Sequence, residues 1–268
     1  MFQSVVLFLV FYHILFVLFL WSFLKAIITK PIKPPAEFFL SAQDWIQINA
    51  ATEEADKNQY LEALILERKL PIETTNDSGT IRLCPSCSLI KPDRCHHCST
   101  CNTCLLKMDH HCPWIDNCVG FHNYKFFVVF LFWGVLYCLY IVCTSIVYFI
   151  DFWELTSLTS LQTVPPTRYN FLFLFFTAIM FGFAQSILLF YHFYLVSKNR
   201  TTLESFRSPS FVGIGVDKKG YDLGCVQNFK EVFGDNCGTA LIPIFTSRGT
   251  GCQWRRRGHK GYTYQSLD

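Results

Sequence analysis

The chain has 268 residues and a mass of 31.1 kDa; 51% of it is hydrophobic, 17% aromatic and only 16% charged, a balance unlike that of a soluble globule. Its 23 Lys and Arg exceed its 20 Asp and Glu by three, too small an excess for a nucleic-acid binder.

None of those 43 charges falls within residues 1–24, 126–150 or 169–196. A hydrocarbon core of about 30 Å needs roughly 20 apolar residues in helix, so each gap is long enough to span it. The first span, Val5 to Leu24, has no basic segment before it and no small-residue cleavage site, and reads as a retained anchor. Lys and Arg number 11 over residues 25–125, one over 151–168 and 11 from 197 onward, which by the positive-inside rule puts the first loop and the tail in the cytosol. The expected layout is a transmembrane helix over 1–25, a cytosolic linker with helix over 26–83, a cysteine-rich zinc domain over 84–125 and a second span over 126–150. A lumenal loop over 151–168, a third span over 169–196 and a cytosolic region over 197–268 complete it. The fold class is thus an all-α polytopic membrane protein with a small zinc-bound cysteine-rich cytosolic domain. Within the linker, Leu61, Leu64 and Ile65 recur at helical spacing before Pro71, and Thr74 to Thr80 reads as a turn-rich connection.

Eight Cys and four His crowd into residues 84–118. In a reducing compartment such density means metal binding or catalysis, not disulfides. The spacing Cys84-x2-Cys87-x9-His97-x6-Cys104 recurs 14 residues on as Cys98-x2-Cys101-x9-His111-x6-Cys118. Three Cys and one His make a closed zinc set, so the repeat implies two interleaved structural zinc ions. Other partitions are open, because Cys95, Cys98, Cys101 and Cys104 form overlapping pairs and His96 or His110 could replace its neighbour.

Eight assigned ligands leave Cys95, His96, His110 and Cys112. Cys112 follows Asp109-His110-His111, so a nucleophile, a general base and an acid to orient that base stand together: Cys112, His110 and Asp109. A free thiol of pKa about 8.5 needs such a neighbour to become a thiolate at neutral pH. Cys95 beside His96 is the competitor, with Asp93 out of register. Cys112 also precedes the span beginning at Phe126 by 14 residues, which suits thioester exchange with a long-chain acyl-CoA whose tail stays in the bilayer. Lys91, Arg94, Lys198, Arg200 and Arg207 flank the region as partners for the CoA phosphates, or as charges that simply mark helix ends.

These residues resemble the DHHC family of protein S-acyltransferases, the palmitoyltransferases. The likeness is carried by Cys84-Pro85-Ser86-Cys87, Lys91-Pro92-Asp93-Arg94, His96-His97-Cys98 and the run Met108 to Asn123. Thr201-Thr202-Leu203-Glu204 matches the TTxE motif, and Asn228 before Val232-Phe233-Gly234 matches the PaCCT motif. The resemblance implies that Cys112 takes a palmitoyl group from palmitoyl-CoA and passes it to cysteines of cytosol-facing proteins near the membrane. It implies His110 as base, Asp109 as its orienter, two structural Zn2+ ions, and Thr201, Thr202, Glu204 and Asn228 as structural motif residues. Tyr137 is expected to help set chain length and, with Trp114, to contact substrate. The segment from Asn228 to Gly234 reads as one amphipathic helical turn with a glycine stop. Measured against the family, the chain starts with what looks like the second helix and lacks the first, so a catalytically impaired zinc-bound scaffold is the alternative reading. Thr29-Lys30-Pro31 replaces the Asp-Pro-Gly of many members. The expected home is the Golgi, another endomembrane or the plasma membrane, with no nucleic-acid partner.

Overall fold

The computed structural model describes residues 2–158 and 166–258. Residues 159–165, inside the expected lumenal loop, and 259–268, the end of the basic tail, lie outside the described residues. Three helices carry the apolar spans: α1 (Phe2–Ile28), α4 (Tyr124–Leu158) and α5 (Pro166–Ser197). All three are long and apolar enough to cross a membrane. Each runs past the hydrophobic stretch that predicts it, so α4 and α5 take in parts of the segment expected as loop. The N-terminal position is thus held by an apolar helix, and α1 does not confirm that a family helix is missing.

The chain divides into two compact units. One gathers the residues up to Lys25 with Phe126–Phe193. In it, α4 and α5 approach closely through small residues: a Cβ built on Gly134 would stand 2.2 Å from Gln185 Oε1, and one on Gly182 3.0 Å from Cys138 Cβ. Tyr137 on α4 donates its hydroxyl to that of Tyr12 on α1 at 2.8 Å and stacks on Phe19 at 5.7 Å.

The second unit comprises Ala26–Lys125 with Tyr194–Asp268. Helices α2 (Ala42–Ala50) and α3 (Glu54–Glu67) confirm helix in the linker. Ser41 and Asp44 cap α2 reciprocally, and Asp44 then holds Arg68 at 2.7 Å and the Tyr60 hydroxyl at 3.0 Å. Their apolar faces, including Ile48, Leu61 and Leu64, pack with Phe38, Leu89, Ile90, Phe211 and Trp254 into one core. The stretch read as a turn-rich connection is otherwise: Thr74–Thr75 forms β1. It pairs with β8 (Ser210–Phe211), which pairs in turn with β9 (Gly215–Val216). The reason is a buried anchor, since Thr74 donates both its backbone N–H and its hydroxyl to Asp93.

Between these lie three antiparallel hairpins: β2 (Leu83–Cys84) with β3 (Leu89–Ile90), β4 (His96–Cys98) with β5 (Thr103–Leu105), and β6 (His110–Cys112) with β7 (Asn117–Val119). Short helix α6 (Thr202–Phe206) follows α5, and α7 (Cys225–Phe233) closes the described secondary structure that concerns the site. Helix α7 is nine residues, not the single turn expected, and ends at Gly234 with φ +80°, where a Cβ would meet Thr246 at 2.9 Å.

Candidate active site and metal centres

The three hairpins are copies at a 14-residue step. Their tips carry Ser88, Asn102 and Asp116 at left-handed φ of 52°, 48° and 45°, and their strand pairs are Leu83↔Ile90, His97↔Cys104 and His111↔Cys118. Asn and Asp reach that region more easily than most residues. The middle hairpin serves two centres: its strand pair faces Cys84 and Cys87, and its turn cysteines Cys98 and Cys101 face His111 and Cys118. Within each set of four, the donor atoms all lie within 4.8 Å of one another. His97 Nδ1 stands 3.2 Å from Cys87 Sγ and 3.6 Å from Cys84 Sγ, and His111 Nδ1 stands 3.4 Å from Cys118 Sγ and 3.5 Å from Cys101 Sγ. Three thiols and one imidazole nitrogen turned onto a single point suit a tetrahedral metal ion, zinc above all. Cys95, His96 and His110 stand outside both sets.

The third copy differs. Cys112 occupies the position of Cys84 and Cys98, but Ile115 stands where Cys87 and Cys101 supply the second thiol. The hairpin therefore keeps the turn of a metal knuckle with a single sulfur. In the middle hairpin the Cys101 N–H points at Cys98 Sγ at 3.4 Å, and in the third the N–H groups of Trp114 and Ile115 serve Cys112 likewise. Such amides favour a thiolate. Strand alternation completes the arrangement, because residues two apart share a face. His110 falls on the side of Cys112 and hydrogen-bonds to it, while His111 between them turns to the metal set.

Asp109 is fully buried and accepts from His110 Nδ1 at 2.7 Å. It also accepts from Thr202, by the N–H at 2.9 Å and the hydroxyl at 2.7 Å. That N–H is one of the unpaired donors of the first turn of α6. Thr201 caps the helix, with Glu204 completing a capping box, and the Glu204 carboxylate grips Arg94 through Nε and Nη2, both at 2.7 Å. Arg94 also donates to Asn199 and lies between the rings of Tyr221 and Trp254, at 4.5 and 4.7 Å. Burial pushes His110 down, but its bonds to Asp109 and Cys112 outweigh that and lift it to about 9. Burial pushes the Cys112 thiol up, and His110 with the two amides brings it below the ordinary value.

The competitor pair has neither support. Cys95 is wholly buried in the core, and Asp93 is occupied by Thr74 and the Glu73 N–H. Burial and nearby Arg82 drive His96 down to about 3, so it cannot carry a proton at neutral pH. Beside α6 opens a cleft of about 400 Å³ lined by Arg82, Lys91, His96, Leu203, Arg207 and Tyr221 among others. Of the five basic residues named above, Lys91, Arg94 and Arg207 line it; Lys91 is half-buried and Arg207 exposed and paired with Asp77, whereas Arg94 is buried and committed to Glu204 and Asn199, so it is not the phosphate partner the sequence suggested. Arg200 spends its guanidinium on the Lys218 carbonyl. Trp114 is 85% exposed on the turn of the third hairpin, and Tyr137 belongs to the other unit.

Sequence reasoning gave no role to two motif asparagines. Asn117 donates to the carbonyls of Ile27 and Thr29, both at 3.0 Å, closing the end of α1, and Asn123 braces the hairpin through the Gly120 N–H and the Cys118 carbonyl. Asn228 binds the Ser197 carbonyl at the end of α5 at 2.8 Å, Asp222 at 2.7 Å and the Leu223 N–H. The third 14-residue copy was the available signal for the status of Cys112. Nothing in the sequence announces the Thr202–Asp109 link, whose partners are 93 residues apart.

Three membrane-length helices with an interleaved pair of Cys3His sets and a Cys-His-Asp relay define a polytopic membrane protein of the cysteine-rich-domain type. The family model for DHHC palmitoyltransferase matches residues 77–209. The human palmitoyltransferase ZDHHC2 is 49% identical over 246 residues, 91% of this chain and 64% of its own length. Human ZDHHC20 is 47% identical over 252 residues, 94% of this chain and 67% of its own, and mouse ZDHHC15 is 48% identical over 248 residues, 92% and 71%. The chain belongs to the DHHC palmitoyltransferase family. It spans a little under two thirds of the length of the ZDHHC2 relatives.

Proposed function

We propose that this chain is a protein S-palmitoyltransferase that moves a long-chain acyl group from acyl-CoA, through a thioester on Cys112, to cysteines of cytosol-facing membrane proteins. The observation that carries the reading is the relay itself, with Cys112 bonded to His110, His110 held by Asp109 and Asp109 held by Thr202. In the first step the Cys112 thiolate attacks the acyl carbonyl, the bond to the CoA sulfur breaks, and that sulfur takes the proton held on His110. In the second, a target thiol gives its proton to His110 and attacks the new thioester, and Cys112 leaves as the thiolate.

Zn2+ held by Cys84, Cys87, His97 and Cys104, and by Cys98, Cys101, His111 and Cys118, would supply structure alone, fixing the third hairpin by its strand pair. The basic cleft lined by Arg82, Lys91 and Arg207 suits the phosphates of CoA. The acyl tail stays in the bilayer at about 0.8 kcal/mol per CH2 kept from water, with Tyr137 and Trp114 as its expected contacts. The excess of Lys and Arg on residues 25–125 and 197–268 supports the cytosolic side for the site, and the layout of segments follows from it. A Golgi or other endomembrane location, or the plasma membrane, fits the same reading.

The test is incorporation of a clickable palmitate analogue from its CoA ester into the purified chain. Wild type and Cys95→Ser should acquire a hydroxylamine-sensitive label, and Cys112→Ser should not. Absence of label on a zinc-loaded wild type would leave the scaffold reading in its place.

A further inference from the structure

Three consecutive arginines, Arg255-Arg256-Arg257, follow Trp254 near the end of the described chain, and arginines ordinarily lie on the surface. Here the segment is drawn into the second unit in alternation: Cys252, Trp254 and Arg256 are buried, while Gln253 and Arg257 are exposed. Arg256 lies over the Phe211 ring at 4.3 Å and pairs with Glu73, and the Arg257 N–H donates to the Gly220 carbonyl at 2.9 Å.

Trp254 is the centre of this segment. Its ring packs edge-on against Phe121 at 5.6 Å, and two cations stand over it, Arg94 Cζ at 4.7 Å and Lys107 Nζ at 4.9 Å from its centre. Lys107 is buried, and among the described residues it has no hydrogen-bond or ion-pair partner; its ammonium meets the ring faces of Trp254 and, at 5.9 Å, of Tyr124. Burial and the charge of Arg94 pull Lys107 down to about 7, against the opposite pull of Glu204, Glu231 and Asp109. A cation taken from water gains most from a ring face, so the indole matters more to Lys107 than it would at the surface.

Both cations lead to one carboxylate. Arg94 grips Glu204, Glu204 completes the cap of α6, and the first turn of α6 presents Thr202 to Asp109. Lys107 reaches Asp109 along the chain, two residues before it. We propose that Trp254 is a positioning residue of the Cys112–His110–Asp109 relay: its ring fixes Arg94 and Lys107, and through them both the helix that holds Asp109 and the backbone that carries it. The segment 252–257 is thus a brace for the nucleophile, built from residues far from it in sequence. This role rests on the relay reading of Cys112, and its first test needs no acyl transfer.

The full chain with its zinc is treated with iodoacetamide at pH 7, and modification of Cys112 is followed by peptide mass spectrometry with the exposed Cys225 as internal control. Trp254→Leu and Trp254→Met keep an apolar side chain without a ring face, and should slow Cys112 relative to Cys225 severalfold. Trp254→Phe restores a ring and should recover most of the rate, and autoacylation should follow the same order. A side chain that only fills space would be replaced as well by Leu or Met as by Phe. Equal Cys112 rates in all four proteins, or a Phe variant no faster than the Leu variant, would overturn the proposal. So would loss of zinc from both the Leu and the Met variant, because Trp254 would then serve the fold at large. A wild-type Cys112 rate that His110→Ala leaves unchanged would remove the relay and the brace with it. Fast modification of wild-type Cys112, slowed in the Leu and Met variants but without acyl label, would remove the proposed activity and leave the brace standing.

Discussion

At the scale of single residues the pH dependence of Cys112 separates a relay from a bystander histidine. With His110 raised to about 9 it holds its proton at neutral pH, and that charge with the two amides moves the buried Cys112 thiol toward the thiolate. The sign follows: a depressed thiol pKa keeps the nucleophile present to lower pH than an ordinary thiol near 8.5 allows, and it is lost as pH falls through that lowered value. Autoacylation of wild type should thus persist to lower pH than an ordinary thiol allows and decline above about pH 9, where His110 gives up the proton the CoA sulfur needs. His110→Ala should lose at least about tenfold at pH 7 and regain part of it toward pH 9, shifting the rising limb alkaline. A parallel drop at every pH, with no shift, would make His110 a structural group. The types and spacing of Asp109, His110 and Cys112 were legible because all three lie within four positions. Thr202 was legible only as part of a resemblance, since its bond to Asp109 depends on where α6 begins in space.

At the scale of elements, α6 hangs on one buried ion pair. The Arg94 side chain is fully buried and that of Glu204 nearly so, and burial raises Glu204 less than Arg94 and the Thr201 N–H lower it. Glu204→Gln can keep the capping box through its amide oxygen, but it removes the charge and sets an NH2 donor against Arg94 Nε in place of the second acceptor. An uncompensated buried guanidinium costs about 3–5 kcal/mol. The variant should therefore lose soluble protein on heating in detergent at markedly lower temperature than wild type, and release of α6 should cost Asp109 its Thr202 donors and slow autoacylation. Unchanged heat resistance would show that the rings of Tyr221 and Trp254 suffice for Arg94. The helices were readable from charge-free length and apolar spacing. Strand β1 was not, because its two residues carry no alternation and are held by Asp93, and α7 was underestimated because Cys225 and Val226 carry its apolar side outward. Arg94 looked like a phosphate partner for the same kind of reason: a sequence shows charge without showing burial.

For the whole molecule, the 14-residue repeat has a cooperative consequence. The middle hairpin supplies His97 and Cys104 to one centre and Cys98 and Cys101 to the other, over strands of three residues each. Hairpins so short have no core of their own, and structural zinc in small domains is worth about 10–16 kcal/mol of apparent binding energy, so the metal and the fold stand together. Purified wild type should carry two zinc ions per chain, and a value of one or none would sink the assignment. Cys101→Ser removes a ligand from the second set alone, and independent centres would leave one full ion. Interleaving predicts otherwise. Loss of the second ion frees the turn of the middle hairpin, and its strand pair cannot then hold His97 against Cys87. Zinc in Cys101→Ser should fall well below one ion per chain, with cleavage appearing across residues 84–118 in limited proteolysis and autoacylation lost although Cys112 is intact. A variant that keeps one full ion and resists the protease like wild type would show the two centres folding separately, and the shared hairpin would then be an economy of sequence with no part in stability.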